Sequence, residues 1–209
     1  MSRPLDTSTE ARFWEGVAAS EAFFMSSDPV HEAMRRLAKA LDDLDVPYAV
    51  VGAMALNAYG YRRTTVDVDV LITREGLDTF KARWLGRGYV EKFPGSKGVR
   101  DSALGVTIDF VIAGDYPGDG KPKPVRFPDP AAVALRGERI ALLPLSTLVE
   151  LKLASGMSTI HRARDLGDVV ELIKHAELSR ELSEELDPSV RAKYLEIWDA
   201  LQTPDPLAE

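Results

Sequence analysis

The chain has no cysteine, which excludes a disulfide framework and any cysteine-bound zinc. Histidine is scarce, with 3 in 209 residues. His161 has no second nitrogen donor near it in sequence, so it reads as a loop histidine rather than a ligand. No apolar run approaches the length that spans a bilayer, so no membrane association is expected. The first residues carry Asp6, Glu10 and Glu15 among short apolar stretches, unlike a secretory signal. Together these absences lead to the expectation of a cytoplasmic protein. Excess positive charge is also missing: the formal net charge is −7. A nucleic-acid coat protein would be basic, so a broad phosphate-binding surface is not expected. A substrate held at one local basic patch, or screened by magnesium, remains compatible. There is no internal repeat and no low-complexity tract.

Hydrophobic residues make up 45% of the chain, enough for one domain, or one domain with a helical appendage. Phe13, Trp14, Phe23 and Phe24 suggest a short docked helix within residues 1–27. Asp28-Pro29 reads as N-cap and first helical residue. Val30, Met34, Leu37, Leu41 and Leu44 then recur at helical spacing, predicting a helix over 29–44. Residues 48–51 read as a strand, 53–60 as a short helix and 65–72 as a β-branched strand. Thr73 can cap a helix bearing Leu77, Phe80, Trp84 and Leu85, stopped by Gly88. Residues 89–93 and 106–112 are further strand candidates, and 114–124 must be a loop. A hairpin is predicted about Arg136-Gly137-Glu138, between strands 132–135 and 139–143. Beyond Pro144 the pattern is helical: Ser146 as cap of a helix to about 155, a second helix over 162–175, and a last one over 189–201. The fold class expected is therefore mixed α/β (α+β), with a mixed sheet flanked by helices. Residues 1–145 form the core with its N-terminal helices, and 146–209 form a helical part that completes the cleft.

The most informative stretch is Val66-Asp67-Val68-Asp69-Val70. Alternation along a strand puts both aspartates on one face and the three valines on the other. Ile108-Asp109-Phe110 places a third acid inside an apolar strand. The plainer alternative is a solvated strand face, with Asp109 as an edge gatekeeper. Yet aspartate is disfavoured in strands, and clustered carboxylates without a counter-charge repel one another and take up protons. A divalent cation removes that repulsion, and an all-oxygen ligand set suits magnesium or manganese. Upstream, Gly52 sits where a strand hands over to a helix, a place where backbone amides can hold phosphate.

The run Val51-Gly52-Ala53-Met54-Ala55, followed by Arg63-Thr64-Thr65-Val66-Asp67-Val68-Asp69, resembles the signature of polymerase-β-like nucleotidyltransferases. Leu148 to Ala154, with Lys152, and the run Arg162-Ala163-Arg164-Asp165-Leu166-Gly167-Asp168 are similar to motifs of the AbiEii-type branch, which includes toxins of toxin–antitoxin pairs. The resemblance spans about residues 48–173 and implies a nucleotidyltransferase fold. It also implies transfer of a nucleoside monophosphate from an NTP to an acceptor hydroxyl with Mg²⁺ or Mn²⁺. The acceptor it suggests is RNA, particularly the tRNA 3′ end, with a cognate antitoxin as partner. Transfer to a small molecule or a protein side chain, or a non-catalytic nucleotide-binding module, are the alternatives. Asp67, Asp69 and Asp109 are implied as metal ligands, with Asp109 also implied as the group that activates the acceptor hydroxyl. Gly52, Ala53, Arg63, Lys152 and Asp165 are implied on the nucleotide. The sequence departs from the family at Ala53, where a second Gly or Ser is usual, so a serine hydroxyl for the phosphate is missing.

Lys152 shares a helical face with Leu148 and Ser155. An inward lysine needs an anion, either Asp165 or nucleotide phosphate. A snorkelling surface lysine is the plain alternative. Asp165 and Asp168 read either as solvated helix residues or, beside Arg162 and Arg164, as a charged rim of the cleft. The Arg62-Arg63 pair is a candidate contact for phosphate or acceptor.

Overall fold

The computed structural model describes residues 28–137 and 140–203. The proposed N-terminal helix, with Phe13, Trp14, Phe23 and Phe24, lies outside them. The first described helix, α1 (Pro29–Asp42), begins as the sequence predicts: Asp28 Oδ1 accepts from Val30 N at 2.8 Å, with Pro29 in the first turn. Strand β1 (Tyr48–Val50) leads into helix α2 (Gly52–Ala58), and then come β2 (Asp67–Ile72) and helix α3 (Arg74–Trp84). Thr73 caps α3 by accepting from Gly76 N at 3.0 Å. This helix ends at Trp84, ahead of Gly88, and Gly86 takes the first left-handed turn at φ 73°.

Strands β3 (Tyr89–Glu91), β4 (Val99–Asp101) and β5 (Thr107–Ile112) follow, then helix α4 (Pro130–Val133) and the short strands β6 (Leu135–Arg136) and β7 (Ala141–Leu142). The expected strand over 132–135 is therefore helical at Ala132 and Val133, and only Leu135 is in a strand. Asp129 caps the helix by accepting from Ala131 N, and Pro130 opens it, which is a helix-start signature. The hairpin itself is present, since β6 pairs antiparallel with β7; Glu138 and Arg139 at its turn lie outside the described residues. Strand β4 was not anticipated.

Helix α5 (Leu145–Ser158) starts directly after Pro144, with no side-chain cap, so Ser146 lies inside its first turn. It runs through Gly156, where a Cβ would sit 2.6 Å from Leu166 Cγ. The bare backbone thus permits close contact with α6 (Ala163–His175). The last helix is α7 (Pro188–Gln202). Among the described residues, no helix is long and apolar enough to cross a membrane.

Among the described residues, seven strands form one mixed sheet in the order β3-β4-β5-β2-β1-β7-β6. Helices α1 and α3 cover one face, packing Met34, Leu37, Leu77 and Phe80 against Val68, Val70, Ile108 and Phe110. The other face presents Ala49, Val51 and Leu71 to α2 and to the C-terminal helices, through Leu148, Val149, Val169 and Tyr194. Val68 and Val70 are fully buried, as alternation predicts, but Val66 precedes the strand and is 77% exposed. The expectation that Val66 shares a strand face with Val68 and Val70 fails because the chain reaches the sheet only at Asp67.

Candidate active site

Strands β2 and β5 run parallel, with Asp69 directly opposite Asp109 and Asp67 opposite Thr107. Side chains two apart share a face, so Asp67, Asp69 and Asp109 stand together. Their rows continue into Leu71 and Val111, which belong to the face covered by the C-terminal helices. Hence the acids emerge at the open end of that layer.

Each acid is held differently. Thr65 Oγ1 donates to Asp67 Oδ1 at 2.7 Å. Asp69 packs against Gly52, where a Cβ would overlap its carboxylate and lie 2.7 Å from its Cγ. Gly52 also has φ 62°, a left-handed conformation that glycine adopts at little cost. Asp109 pairs with Lys92, whose Nζ lies 3.0 and 3.2 Å from its two oxygens. Burial, then the neighbouring charges of Asp67 and Asp109, push the Asp69 carboxyl up to about 6, against the pull of Lys152 and Arg63.

Facing these acids is a buried charge cluster. Lys152 Nζ donates to Asp165 Oδ1 at 2.6 Å and to Asp168 Oδ2 at 2.7 Å. Arg63 Nη1 donates to that same Asp168 oxygen at 2.7 Å. Ser155 Oγ donates to Asp165 Oδ2 at 2.5 Å. Burial pushes Asp165 up, but Lys152, Ser155 and Arg162 outweigh it and hold its carboxyl below the ordinary value. Arg63 is set in place by Asn57 of α2, which accepts from its backbone N–H and donates to its carbonyl at 2.8 Å. The inward lysine therefore has its anion, and the surface-lysine alternative is set aside. Asp165 and Asp168 are 8% and 1% exposed, so they form neither a solvated face nor a rim. Arg63 is paired with Asp168 where it borders the cleft. His161 lies in a short 3-10 turn over Ile160–Arg162 and is exposed.

Two adjoining compartments meet here. The polar one, about 370 Å³, is lined by Ala53, Arg63, Thr65 and Asp67. The apolar one, about 170 Å³, is lined by Val111, Pro117, Phe127, Leu148 and Leu151. Gly52, Asp69, Lys152, Arg162 and Asp165 line both. The loop from Gly114 closes the apolar side against α5, where a Cβ at Gly118 would meet the backbone of Ser155 at 2.8 Å. All the predicted site residues thus fall on one cleft except Asp109. It belongs to the same acidic face but is drawn off by Lys92.

The donor set is carboxylate oxygen with too little positive charge at Asp69, which suits a hard divalent cation. As the side chains stand, no three His, Cys, Asp or Glu among the described residues enclose an ion. Asp67 and Asp69 fit as a ligand pair, and Asp109 would have to leave Lys92 to join them. Sequence reasoning missed Thr65, Asn57, Ser155 and Lys92, and it missed Asp168 as a bridge. The Thr65-x-Asp67 spacing was the one readable signal, since a threonine two residues before an acid often bonds it locally.

No family model matches this sequence, and no curated protein matches it. Among solved structures, the chain is similar to ANT(2'')-Ia in complex with adenylyl-2''-tobramycin, at 11% identity over 77% of this chain and 93% of that one, with TM-score 0.48. It is also similar to an antigenic nucleotidyltransferase-like protein from Paracoccidioides brasiliensis, at 20% identity over 85% and 94%, with TM-score 0.44. JHP933 from Helicobacter pylori is similar at 19% identity over 86% of each chain, with TM-score 0.43. Likeness at these identities and TM-scores assigns no role to any residue.

Proposed function

We propose that this chain is a metal-dependent nucleotidyltransferase that moves a nucleoside monophosphate from an NTP to an acceptor hydroxyl. The observation that carries the reading is the register that sets Asp109 beside Asp69 on the face that also presents Asp67. Supporting it is the buried Lys152–Asp165–Asp168–Arg63 cluster on the same cleft. Asp67 and Asp69 would hold magnesium or manganese, which supplies a lowered hydroxyl pKa and neutralised phosphate charge. Asp109 accepts the proton of the acceptor hydroxyl. That oxygen bonds to the α-phosphorus as the bond from this phosphorus to its bridging oxygen breaks and pyrophosphate leaves. Lys152 has three N–H donors, and its two carboxylate partners leave one for a phosphate oxygen. The apolar compartment suits base and sugar, and the polar compartment suits the triphosphate.

For the acceptor, the sequence resemblance favours an RNA 3′ end, tRNA in particular, with the protein acting as a toxin restrained by an antitoxin. A second reading, a small-molecule acceptor, is favoured by how the nearby cations are already used. Lys92, Lys97 and Lys123 pair with Asp109, Asp115 and Asp119, which leaves less positive surface for a polynucleotide backbone. The test is incubation with each labelled NTP, magnesium, and RNA, protein or small-molecule fractions, with Asp69→Asn as control. Label transferred to one fraction by the wild type alone identifies the acceptor. No transfer to any fraction, with no magnesium-dependent NTP binding, would leave the enzyme reading without support.

A further inference from the structure

Asp109 has a cation of its own, whereas among the described residues no ion pair reaches Asp67 or Asp69. Lys92 meets both Asp109 oxygens, and the pair is partly exposed, the side chains at 37% and 40%. The pair is also built into the fold. Glu91 anchors the loop by accepting from Lys81 Nζ at 2.7 Å and from Gly95 N at 3.1 Å. Gly98 N donates to Ser96 Oγ at 3.1 Å, and Lys92 N donates back to Gly98 O at 3.3 Å. A Cβ on Gly98 would overlap Asp109 Oδ1 and lie 2.7 Å from Lys92 Cδ. Gly98 is absent from the left-handed glycines, so its bare backbone answers a steric need: it lets lysine and aspartate close on each other.

Neighbouring strands run about 4.8 Å apart, so directly opposed Asp69 and Asp109 are near enough to share one ion. The ammonium of Lys92 already occupies Asp109 and keeps it from turning to Asp69. We propose that Lys92 is a resident counter-ion that competes with a divalent cation for Asp109, so that cation binding between Asp69 and Asp109 requires Lys92 to withdraw. An exposed lysine on a fixed backbone can do this by rotating its stem alone. Without nucleotide the cation has to displace Lys92 with carboxylates only. The phosphate oxygens of an NTP add ligands and shift the competition, so cation loading is coupled to nucleotide binding. This inference rests on the preceding one for the role of the carboxylates as cation ligands.

The test is Mn²⁺ binding to the nucleotide-free full chain, with free Mn²⁺ followed by electron paramagnetic resonance. Lys92→Met keeps the stem and removes the charge. It should bind Mn²⁺ about two- to fivefold tighter, the size expected on losing an exposed ion-pair competitor. The gain should vanish in the Asp109→Asn background, and a thermal melt of each variant checks that the fold is intact. Equal or weaker binding by folded Lys92→Met overturns the competition. If Asp69→Asn abolishes Mn²⁺ binding while Lys92→Met changes nothing, the carboxylate site stands and only the role of Lys92 falls. If Asp69→Asn leaves Mn²⁺ binding unchanged, or neither the wild type nor Lys92→Met binds any, the metal reading itself fails and the competition with it.

Discussion

Arg63 and Lys152 converge on one oxygen, Asp168 Oδ2, each at 2.7 Å. One comes from the segment before the acidic strand and the other from α5, so Asp168 joins the two halves of the cleft. Removing one partner of a buried charge pair leaves the other uncompensated and costs about 3–5 kcal/mol. Asp168→Ala should be destabilised by about that much in urea unfolding. Asp165→Ala should lose less, because Asp168 still holds Lys152. Lys152→Ala combined with either acid variant should be strongly non-additive, with a coupling of about 0.5–3 kcal/mol. Additive losses would mean that the three act independently.

Asp69 carries a raised carboxyl pKa, about 6, from burial and then from Asp67 and Asp109. A raised folded-state pKa favours the protonated form, so its stabilising contribution is full below the unfolded value near 4 and is lost as pH rises through about 6. Metal-free Asp69→Asn should therefore melt higher than wild type at pH 8, by at most a few kcal/mol equivalent. That advantage should shrink toward pH 4. With metal the sign of the pH effect reverses: Mn²⁺ affinity should climb with pH up to about 6 and then level off, because the ligand must be ionised. Both Asp67→Asn and Asp69→Asn should abolish transfer while leaving the fold intact. Thermal melts and Mn²⁺ titrations at stepped pH check the first two, and turnover checks the last. An identical melting difference at pH 4 and pH 8 would show that Asp69 is not the group under strain.

Gly52 meets two demands at once, a φ of 62° and the closeness of the Asp69 carboxylate. Gly52→Ala should cost about 1–3 kcal/mol for the left-handed conformation. It should also push the carboxylate aside and weaken Mn²⁺ binding beyond what the loss of stability explains. Comparison with Gly88→Ala separates the two effects. Gly88 has φ 121° but open space around the added Cβ, so that variant should lose stability without losing Mn²⁺ affinity.

The Asp67-x-Asp69 pair was legible because strand periodicity of two is a local rule. Asp109 was legible as a third acid inside an apolar strand, but its register opposite Asp69 is set by long-range contacts. Strand β4 escaped notice because Arg100 and Asp101 are poor strand formers. Asp101 is fully buried there with Arg36 of α1 at 3.2 Å, a partner distant in sequence. Asp168 read as a solvated or rim position beside Arg162 and Arg164, because its partner Arg63 comes from another element. Lys92, within the strand candidate over 89–93, carried no local signal of its pairing with Asp109 on another strand. Local capping was readable at Asp28 and Thr73. At Asp129-Pro130 the same signal was present, and the hairpin pattern hid it.

Ala53 lies in the first turn of α2, is 8% exposed and lines the polar compartment. It stands where the resembling family carries Gly or Ser, beside Asp67, Arg63 and Lys152. A hydroxyl there has two possible acceptors. It can bond back to the carbonyl one turn earlier, as helical serines do, or it can reach into the compartment toward a phosphate. A hydrogen bond to a charged group contributes about 1.5–3 kcal/mol, which is on the order of tenfold or more in Kd. Ala53→Ser should therefore tighten NTP binding by up to about tenfold, the lower end of that range, because part of the hydroxyl's time goes to the backbone. Transfer rate at saturating NTP should change less, since the added bond is made before the transition state as well as in it. Isothermal titration with a non-hydrolysable NTP in magnesium checks the affinity. Unchanged binding would mean that the phosphates lie nearer Lys152 and Arg162 than the start of α2, and the placement of the triphosphate in the polar compartment would have to be redrawn.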